Sequence, residues 1–403
     1  MRTAVIVDAV RSPMGRGKAA KNGKPGGALC DLHAVELLGQ TLKGLMDRND
    51  IDPGEVEDVM IGCVSQCAEQ AGPPGRWAWL GAGLPEHVPA TTIDRRCGSG
   101  QQAADFAAQG VMVGTYDVVV AGGLESMSRV PMFTARMGKD IWGPSTTERY
   151  APGLVSQGIS AELIAARYGL SRHELDVFSA RSQERAAHTA QSGGFEREIV
   201  PITVTHEDGS TTLVDRDETI RPSTTVEGLA ELKPAFESEE MAERFPEINW
   251  SITPGNSSQL ADGASAMLIM SEERANQLGL TPRARFHAFA VASDDPITML
   301  TGPIPATEKV LKRSGMKIDQ FDHFEVNEAF APVPLAWRAH FDADLERLNP
   351  RGGAIALGHP LGASGGRLMT SMVCGLEESG GRYGLQTMCE AGGMANATII
   401  ERV

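Results

Sequence analysis

The sequence predicts an α/β protein made of two βα-rich halves related by duplication, with an insert interrupting the first half. Three pairs of stretches carry this reading. "RTAVIVDAVRSP" from Arg2 and "RARFHAFAVASD" from Arg283 each follow a charged start with a β-rich strand. "IDPGEVEDVMIGCVSQ" from Ile51 and "IDQFDHFEVNEAFAPV" from Ile318 share Ile-Asp, a short acidic segment, an apolar strand and a loop. "CGSGQQAADFAAQGVMVGTYDVVVAGGLESM" from Cys97 and "GASGGRLMTSMVCGLEESGGRYGLQTMCEAGGMANA" from Gly362 both read Ser-Gly, helix, Gly, Tyr, strand and Ala-Gly-Gly. Three matches in one order point to an internal repeat with alternating strands and helices.

Element by element, the opening "MRTAVIVDAV" is a strand and lacks the layout of a signal peptide. The first half spans residues 1–123 and is completed by 250–280, where "GASAMLIMSEERANQLGL" resumes as strand and helix. The insert spans 124–249. Within it, Ala161 to Arg167 is helical, and a second helix starts after Ser171, with Glu174 three residues on making a capping signature. Met132, Phe133, Met137 and Trp142 of the insert fit an acyl-chain tunnel, a loop-domain core or a subunit contact alike. The second half spans 281–403.

The 403 residues, 41% of them hydrophobic, are enough for a large core in two or three lobes. The 45 glycines exceed the usual ~7% and cluster beside strands, which suggests tight turns and close backbone approaches. A net charge of −15 argues against non-specific nucleic-acid binding, yet leaves room for a local basic patch that takes an anionic small ligand. No apolar run approaches the ~20 residues of a membrane span, so a soluble cytoplasmic protein is expected. The six cysteines include no C-x-x-C pair and no metal-ligand spacing with histidine, which predicts reduced thiols and no metal site. Cys63 and Cys67 read as packing at a strand end, and Cys374 falls in a helix. No phosphate-binding glycine loop occurs, so phosphates would have to meet side chains and helix ends.

Four residues stand out chemically. Cys97 follows a strand and sits at the start of a Gln101–Val111 helix, whose N-terminal N–H groups and dipole favour a thiolate. A buried core cysteine fits the same residues. His359, in "ALGHPLGAS", lies in a Gly/Pro-framed loop at the repeat position related to the Cys97 turn, as a base or as a structural hydrogen-bonder. Asn327, in "NEAFA", is a strand-end Asn. Cys389 ends the strand "YGLQTMC" ahead of Glu390-Ala391-Gly392-Gly393.

Together with "GGLESMSRVP", "LKPAF", "GNSSQLADGAS", "GGAIALGHPLGASGGR" and "CEAGGMANA", these stretches resemble the thiolase family over essentially the whole chain. The resemblance implies a layered α/β/α/β/α core with the insert as a coenzyme A-binding loop domain. It makes Cys97 the acyl-carrying nucleophile and His359 the base that deprotonates it. Asn327 holds a water that forms one oxyanion hole with His359, and Cys389 is the second acid/base. The N–H groups of Cys97 and Ala391 form the second oxyanion hole, with Gly392 and Glu328 as supporting residues. Arg221 and Ser258 contact coenzyme A. Ala391 and Ala395 depart from the glycines many thiolases carry, which bears on pocket shape. The implied partners are acyl-CoA and CoA as substrates, with no permanent cofactor, in a homodimer or homotetramer. The implied activity is thiolysis of a 3-oxoacyl-CoA in fatty-acid or related lipid degradation. Acetoacetyl-CoA synthesis and a non-catalytic CoA- or lipid-binding relative are the alternatives. A β-ketoacyl synthase is disfavoured, because Asn327 stands where its first histidine would be and Cys389 is present.

Overall fold

The structure is a computed structural model and describes residues 2–403. The first half contains β1 (Ala4–Arg11), β2 (Gly15–Arg16), α1 (Ala34–Asp47), β3 (Asp58–Gly62), α2 (Pro74–Gly81), β4 (Ala90–Ile93), α3 (Ser99–Val113) and β5 (Val118–Ser126). The intervening region holds α4 (Gly143–Arg149), α5 (Gln157–Arg167), α6 (Arg172–Gln191), β6 (Ile202–Thr205), β7 (Thr211–Val214), α7 (Val226–Ala230) and α8 (Glu239–Arg244). β8 (Ala261–Ser271) and α9 (Glu272–Leu278) close the first half. The second half is β9 (Ala284–Ser293), α10 (Pro303–Ser314), β10 (His323–Val326), α11 (Pro332–Phe341), α12 (Ala354–Leu357), α13 (Leu361–Ser379), β11 (Tyr383–Glu390) and β12 (Met394–Arg402).

The repeat appears directly in the strand pairing. In the first half β3 is parallel to β5, β5 antiparallel to β8, and β8 antiparallel to β1. In the second half β10 is parallel to β11, β11 antiparallel to β12, and β12 antiparallel to β9. The halves join where Val5 and Ile6 of β1 pair with Arg285 and Ala284 of β9, giving one continuous ladder. β5 runs on to Ser126, beyond Gly123, because Leu124–Ser126 pair with Ala264–Asp262 of β8.

The part of the large sheet in each half is covered on both faces. Strand side chains alternate between faces, so Val5, Val7, Val59, Ile61, Val118 and Val120 meet α1 and α2. Their neighbours Ile6, Met60, Val119 and Ala121 meet α3 and α13. Burying Leu37, Leu38, Leu42 and Leu45 of α1 stabilises this outer layer by about 2 kcal/mol per side chain. On the second half, Val310 and Trp337 of α10 and α11 pack on Phe324, Val326 and Leu385. Helices α3 and α13 contact each other and strands of both halves. They form the middle layer of an α/β/α/β/α stack.

That middle layer is possible because α3 is built from small residues. Ala103, Ala104, Ala107 and Ala108 are all fully buried. At the helix starts even a methyl group is excluded. A Cβ on Gly100 would lie 2.6 Å from the Gly362 carbonyl oxygen, and one on Gly123 would lie 2.0 Å from it. In the intervening region, α6 starts at Ser171 with the full capping box to Glu174. Its own small core is Val155, Ile159, Leu163 and Ile248, packed against Phe236 and Phe245. Among the described residues no helix is long and apolar enough to cross a membrane.

The Gly362 carbonyl is backbone and cannot swing aside, so Gly123→Ala should destabilise the protein by about 3 kcal/mol. Gly81→Ala, whose new methyl meets nothing nearer than Glu36 at 3.8 Å, should stay within about 0.5 kcal/mol of the parent. Urea titration of both variants checks the pair; equal midpoints would contradict the close packing.

Candidate active site

Four loops converge at the middle layer. Cys97 is buried in the turn between β4 and α3, where Gly98 and Ser99 N–H groups donate to the Arg95 and Arg96 carbonyls, both at 3.0 Å. Its side chain packs with Leu361, Leu368 and Met388, so it touches the start of α13 and the end of β11. Cys389 and Glu390 end β11. Asn327 and Glu328 follow β10, and His359 sits between α12 and α13.

Asn327 joins the second-half groups. Its Nδ2 lies 3.5 Å from His359 Nε2 and 3.8 Å from Cys389 Sγ, while its Oδ1 is buried with no protein partner. That open acceptor is suited to a water or a substrate N–H or O–H. Glu328 faces away from these groups. It accepts from Ser182 Oγ at 2.6 Å, Asn349 Nδ2 at 2.9 Å and Ile355 N–H at 3.1 Å. It therefore ties the Asn327 loop to the segment that leads into His359.

The hydrogen bonds decide which ring nitrogen of His359 carries the proton. Ser364 Oγ donates its one proton to the Pro360 carbonyl at 2.8 Å, so toward His359 Nδ1, 2.6 Å away, it accepts. The neutral ring is therefore protonated on Nδ1 and turns the Nε2 lone pair toward Asn327. Burial, with the nearby Arg367 charge, lowers the His359 pKa to about 3. The ring is a free base across the physiological range.

The thiols are also uncharged at rest. Burial pushes Cys389 up to about 12 against the opposing Asn327 hydrogen bond. Burial, the Cys389 sulfur and Glu390 raise Cys97 well above the ordinary thiol value. A thiolate favoured by the helix start was the expectation for Cys97; in the closed site desolvation outweighs that dipole. Glu390 is itself pushed up to about 9, mainly by burial, and both its oxygens lack partners.

The remaining expected residues fall at different distances from this centre. Ala391 starts the turn between β11 and β12 and keeps a negative φ. Gly392 is exposed and adopts φ +94°. Its N–H points to Met299 Sδ at 3.5 Å rather than toward the thiols, because the turn folds onto the Met299–Thr301 segment. Ser258, in the segment before β8, packs against the Asn327 loop, its N–H donating to Ala329 O at 2.9 Å. Arg221 is exposed, with its Nη2 on Gln259 Oε1 at 3.0 Å. Met132, Phe133, Met137 and Trp142 are solvent-exposed, so a core role for them in the insert is ruled out. No cluster of three or more metal-binding side chains occurs among the described residues.

Two contributors have weak sequence signals. Gln259 accepts the His359 N–H on its backbone oxygen at 2.9 Å and holds Arg221 with its side chain, linking the buried centre to the surface. Ser364 reads as an ordinary residue in the first turn of a helix, and only its spacing of five from His359 hints at a role.

Comparison with known proteins gives the family. The thiolase N-terminal domain model matches residues 4–273 and the thiolase C-terminal domain model matches 280–402. The chain belongs to the thiolase family. The steroid 3-ketoacyl-CoA thiolase FadA6 of Mycobacterium tuberculosis is 46% identical, covering 100% of this chain and 95% of that protein. The 3-ketoacyl-CoA thiolase of Photobacterium profundum is 44% identical over 100% of both chains. The crystal structure of the Bacillus anthracis acetyl-CoA acetyltransferase superposes with a TM-score of 0.88 at 35% identity, covering 100% of this chain and 99% of that one. This thiolase thus shares its fold with that structure over essentially the whole chain.

Ser364→Ala removes the acceptor that holds the Nδ1 proton. Turnover should fall by up to about 100-fold, and the ¹⁵N spectrum of the His359 ring should show the Nδ1–H form losing population. An unchanged tautomer with unchanged turnover would remove Ser364 from the site.

Proposed function

We propose that this thiolase cleaves 3-oxoacyl-CoA with CoA, giving acetyl-CoA and a shortened acyl-CoA, in lipid degradation. The reading is carried above all by the cluster in which Asn327 Nδ2 lies 3.5 Å from His359 Nε2 and 3.8 Å from Cys389 Sγ, with Cys97 packed beside the same strand end. The names of the relatives support the 3-oxoacyl substrate class, and the steroid enzyme among them supports a bulky acyl group.

In this mechanism His359 Nε2 takes the Cys97 proton as the sulfur attacks the 3-keto carbon. The resulting imidazolium and a water on Asn327 face the thioester oxygen of the substrate. The C2–C3 bond breaks, its electron pair stays on C2, and Cys389 protonates that carbon to release acetyl-CoA. Cys389, now a thiolate, takes the proton of incoming CoA, whose sulfur attacks the acyl-Cys97 thioester; the acyl-CoA leaves, and the departing Cys97 sulfur takes its proton back from the His359 imidazolium. The Cys97 and Ala391 N–H groups stabilise the oxyanions on the acyl carbon. Two easier steps replace one hard step, so the kinetics are ping-pong. Arg221 at the surface and Ser258 against the Asn327 loop fit a CoA arm running from solvent to the thiols, with 124–249 as the loop domain that holds it. We further propose a cytoplasmic homo-oligomer. β4 pairs only with β3, and its outer edge suits a second copy.

Cys97→Ala should form no acyl-enzyme, whereas Cys389→Ala should acylate from acyl-CoA and then stall, each losing at least about 10³-fold in turnover. Mass spectrometry of the intact chain reads the thioester, and normal turnover by both variants would overturn the assignment.

Substrate range is read by thiolysis of 3-oxoacyl-CoAs, followed through loss of enolate absorbance with CoA present. The series runs from acetoacetyl-CoA through long chains to a polycyclic side-chain substrate. Rates should peak at long or bulky chains. Activity confined to acetoacetyl-CoA would put the acetyltransferase reading first.

A further inference from the structure

In a chain of net charge −15, residues 12–30 contain Arg16, Lys18, Lys21 and Lys24 and no Asp or Glu. The structure shapes this run into a small fixed projection. Lys21 and Lys24 exchange both backbone hydrogen bonds, at 3.1 and 3.0 Å. Between them Asn22 (φ +53°) and Gly23 (φ +71°) make the two-residue turn whose twist suits a tight hairpin. The base is locked. Gly27 N–H donates to Lys18 O at 2.8 Å, and a Cβ on Gly27 would lie 1.9 Å from the Arg16 carbonyl oxygen. Lys18, Lys21 and Lys24 are exposed. The only lysine ion pair among the described residues is Lys43–Asp47, so the hairpin charges are uncompensated.

The hairpin base is built onto the segments that hold Arg221. Gly17 N–H donates to Leu260 O at 2.9 Å, next to Gln259, which holds the Arg221 guanidinium. Arg16 N–H and Ala28 N–H, from the two ends of the projection, both donate to Glu218 Oε2, at 2.8 and 2.7 Å. Glu218 precedes Arg221 by three residues. Glu218 also takes the Arg16 side chain, so the acid at the hairpin base is paired with Arg16 and the three lysines remain as net positive charge.

We infer that the Lys18–Lys24 hairpin is a phosphate-attracting arm beside Arg221, which draws the polyanionic nucleotide end of coenzyme A to the mouth of the site. This rests on the reading of Arg221 as the CoA entry. A strongly acidic protein repels such a ligand at long range, and a fixed local patch of the opposite sign restores the encounter rate. No covalent step is involved, and the thiols do not depend on it.

The test replaces all three lysines with Gln in one variant and with Glu in another, and measures thiolysis against CoA and against the uncharged thiol N-acetylcysteamine. The catalytic efficiency for CoA should fall in graded order, by about tenfold for the Glu variant at low ionic strength. The deficit should shrink as salt rises past about 0.5 M, and the efficiency with N-acetylcysteamine should match the parent. Unchanged efficiency with CoA, or an equal loss with both thiols, overturns the inference. If the parent turns over no 3-oxoacyl-CoA, the proposed activity fails. Calorimetric CoA binding to the parent and the Glu variant at low salt then decides the hairpin by itself, with equal affinities counting against it.

Discussion

The structure depends on one backbone-to-backbone approach. The Gly362 carbonyl, in the first turn of α13, fits against Gly123 of β5 and Gly100 of α3, where any Cβ would collide. The Gly362 N–H donates to the buried Glu125 carboxylate at 2.9 Å. That carboxylate also accepts the Val64 and Ser65 N–H groups, each at 3.0 Å, and the Gln70 side chain. An anion at a helix start suits the helix dipole, and here it fastens α13 of the second half to the first half. Cys97 precedes one helix of this contact by two residues, and His359 precedes the other by two. The meeting of the halves thereby fixes where Cys97 and His359 can stand.

Burial at that junction sets the electrostatics. Two thiols, an imidazole with a pKa of about 3 and a carboxyl with a pKa of about 9 lie together, and near neutral pH each is in its uncharged form. An apolar site cannot cheaply store a thiolate–imidazolium pair. In the proposed mechanism, charge separation becomes favourable when a substrate oxygen arrives to share it, which ties ionisation to the bond-forming step. Arg367 reinforces this arrangement. It is fully buried, its guanidinium nitrogens have no protein partners, and its charge opposes protonation of His359.

The duplication was legible because strand pairing follows from local pattern repeated twice, and the Ser171 capping box was legible because it is local. The motif residues Asn327, His359 and Cys389 were placed together by resemblance, and their meeting in space needs the fold. Ser364 and Gln259 escaped because their roles lie in which atom faces which partner. A serine in a helix and a glutamine in a loop carry no pattern for that. The direction of the Gly392 N–H and the extension of β5 to Ser126 were likewise beyond local signals. Each is set by a partner distant in sequence, Met299 in one case and β8 in the other.

The departures from glycine at Ala391 and Ala395 follow from the same backbone logic. Ala391 has negative φ, so alanine adds a methyl without strain, while the positive φ values fall on Gly392 and Gly393, which remain glycine. Ala395 sits directly across the β11–β12 ladder from Cys389, and Ala292 flanks it on β9. Both methyl groups therefore change the shape of the region around Cys389 while the N–H groups keep their positions. Gly98 lies against the same neighbourhood: a Cβ there would lie 1.9 Å from Glu390 Oε1, so the Glu390 side chain fills the space beside it. Around the two sulfurs, glycine stands at 98, 392 and 393 and alanine at 391 and 395, with positive φ among these only at Gly392 and Gly393. In the proposed reaction, side-chain volume at these positions bears on which acyl groups fit before it bears on the chemistry.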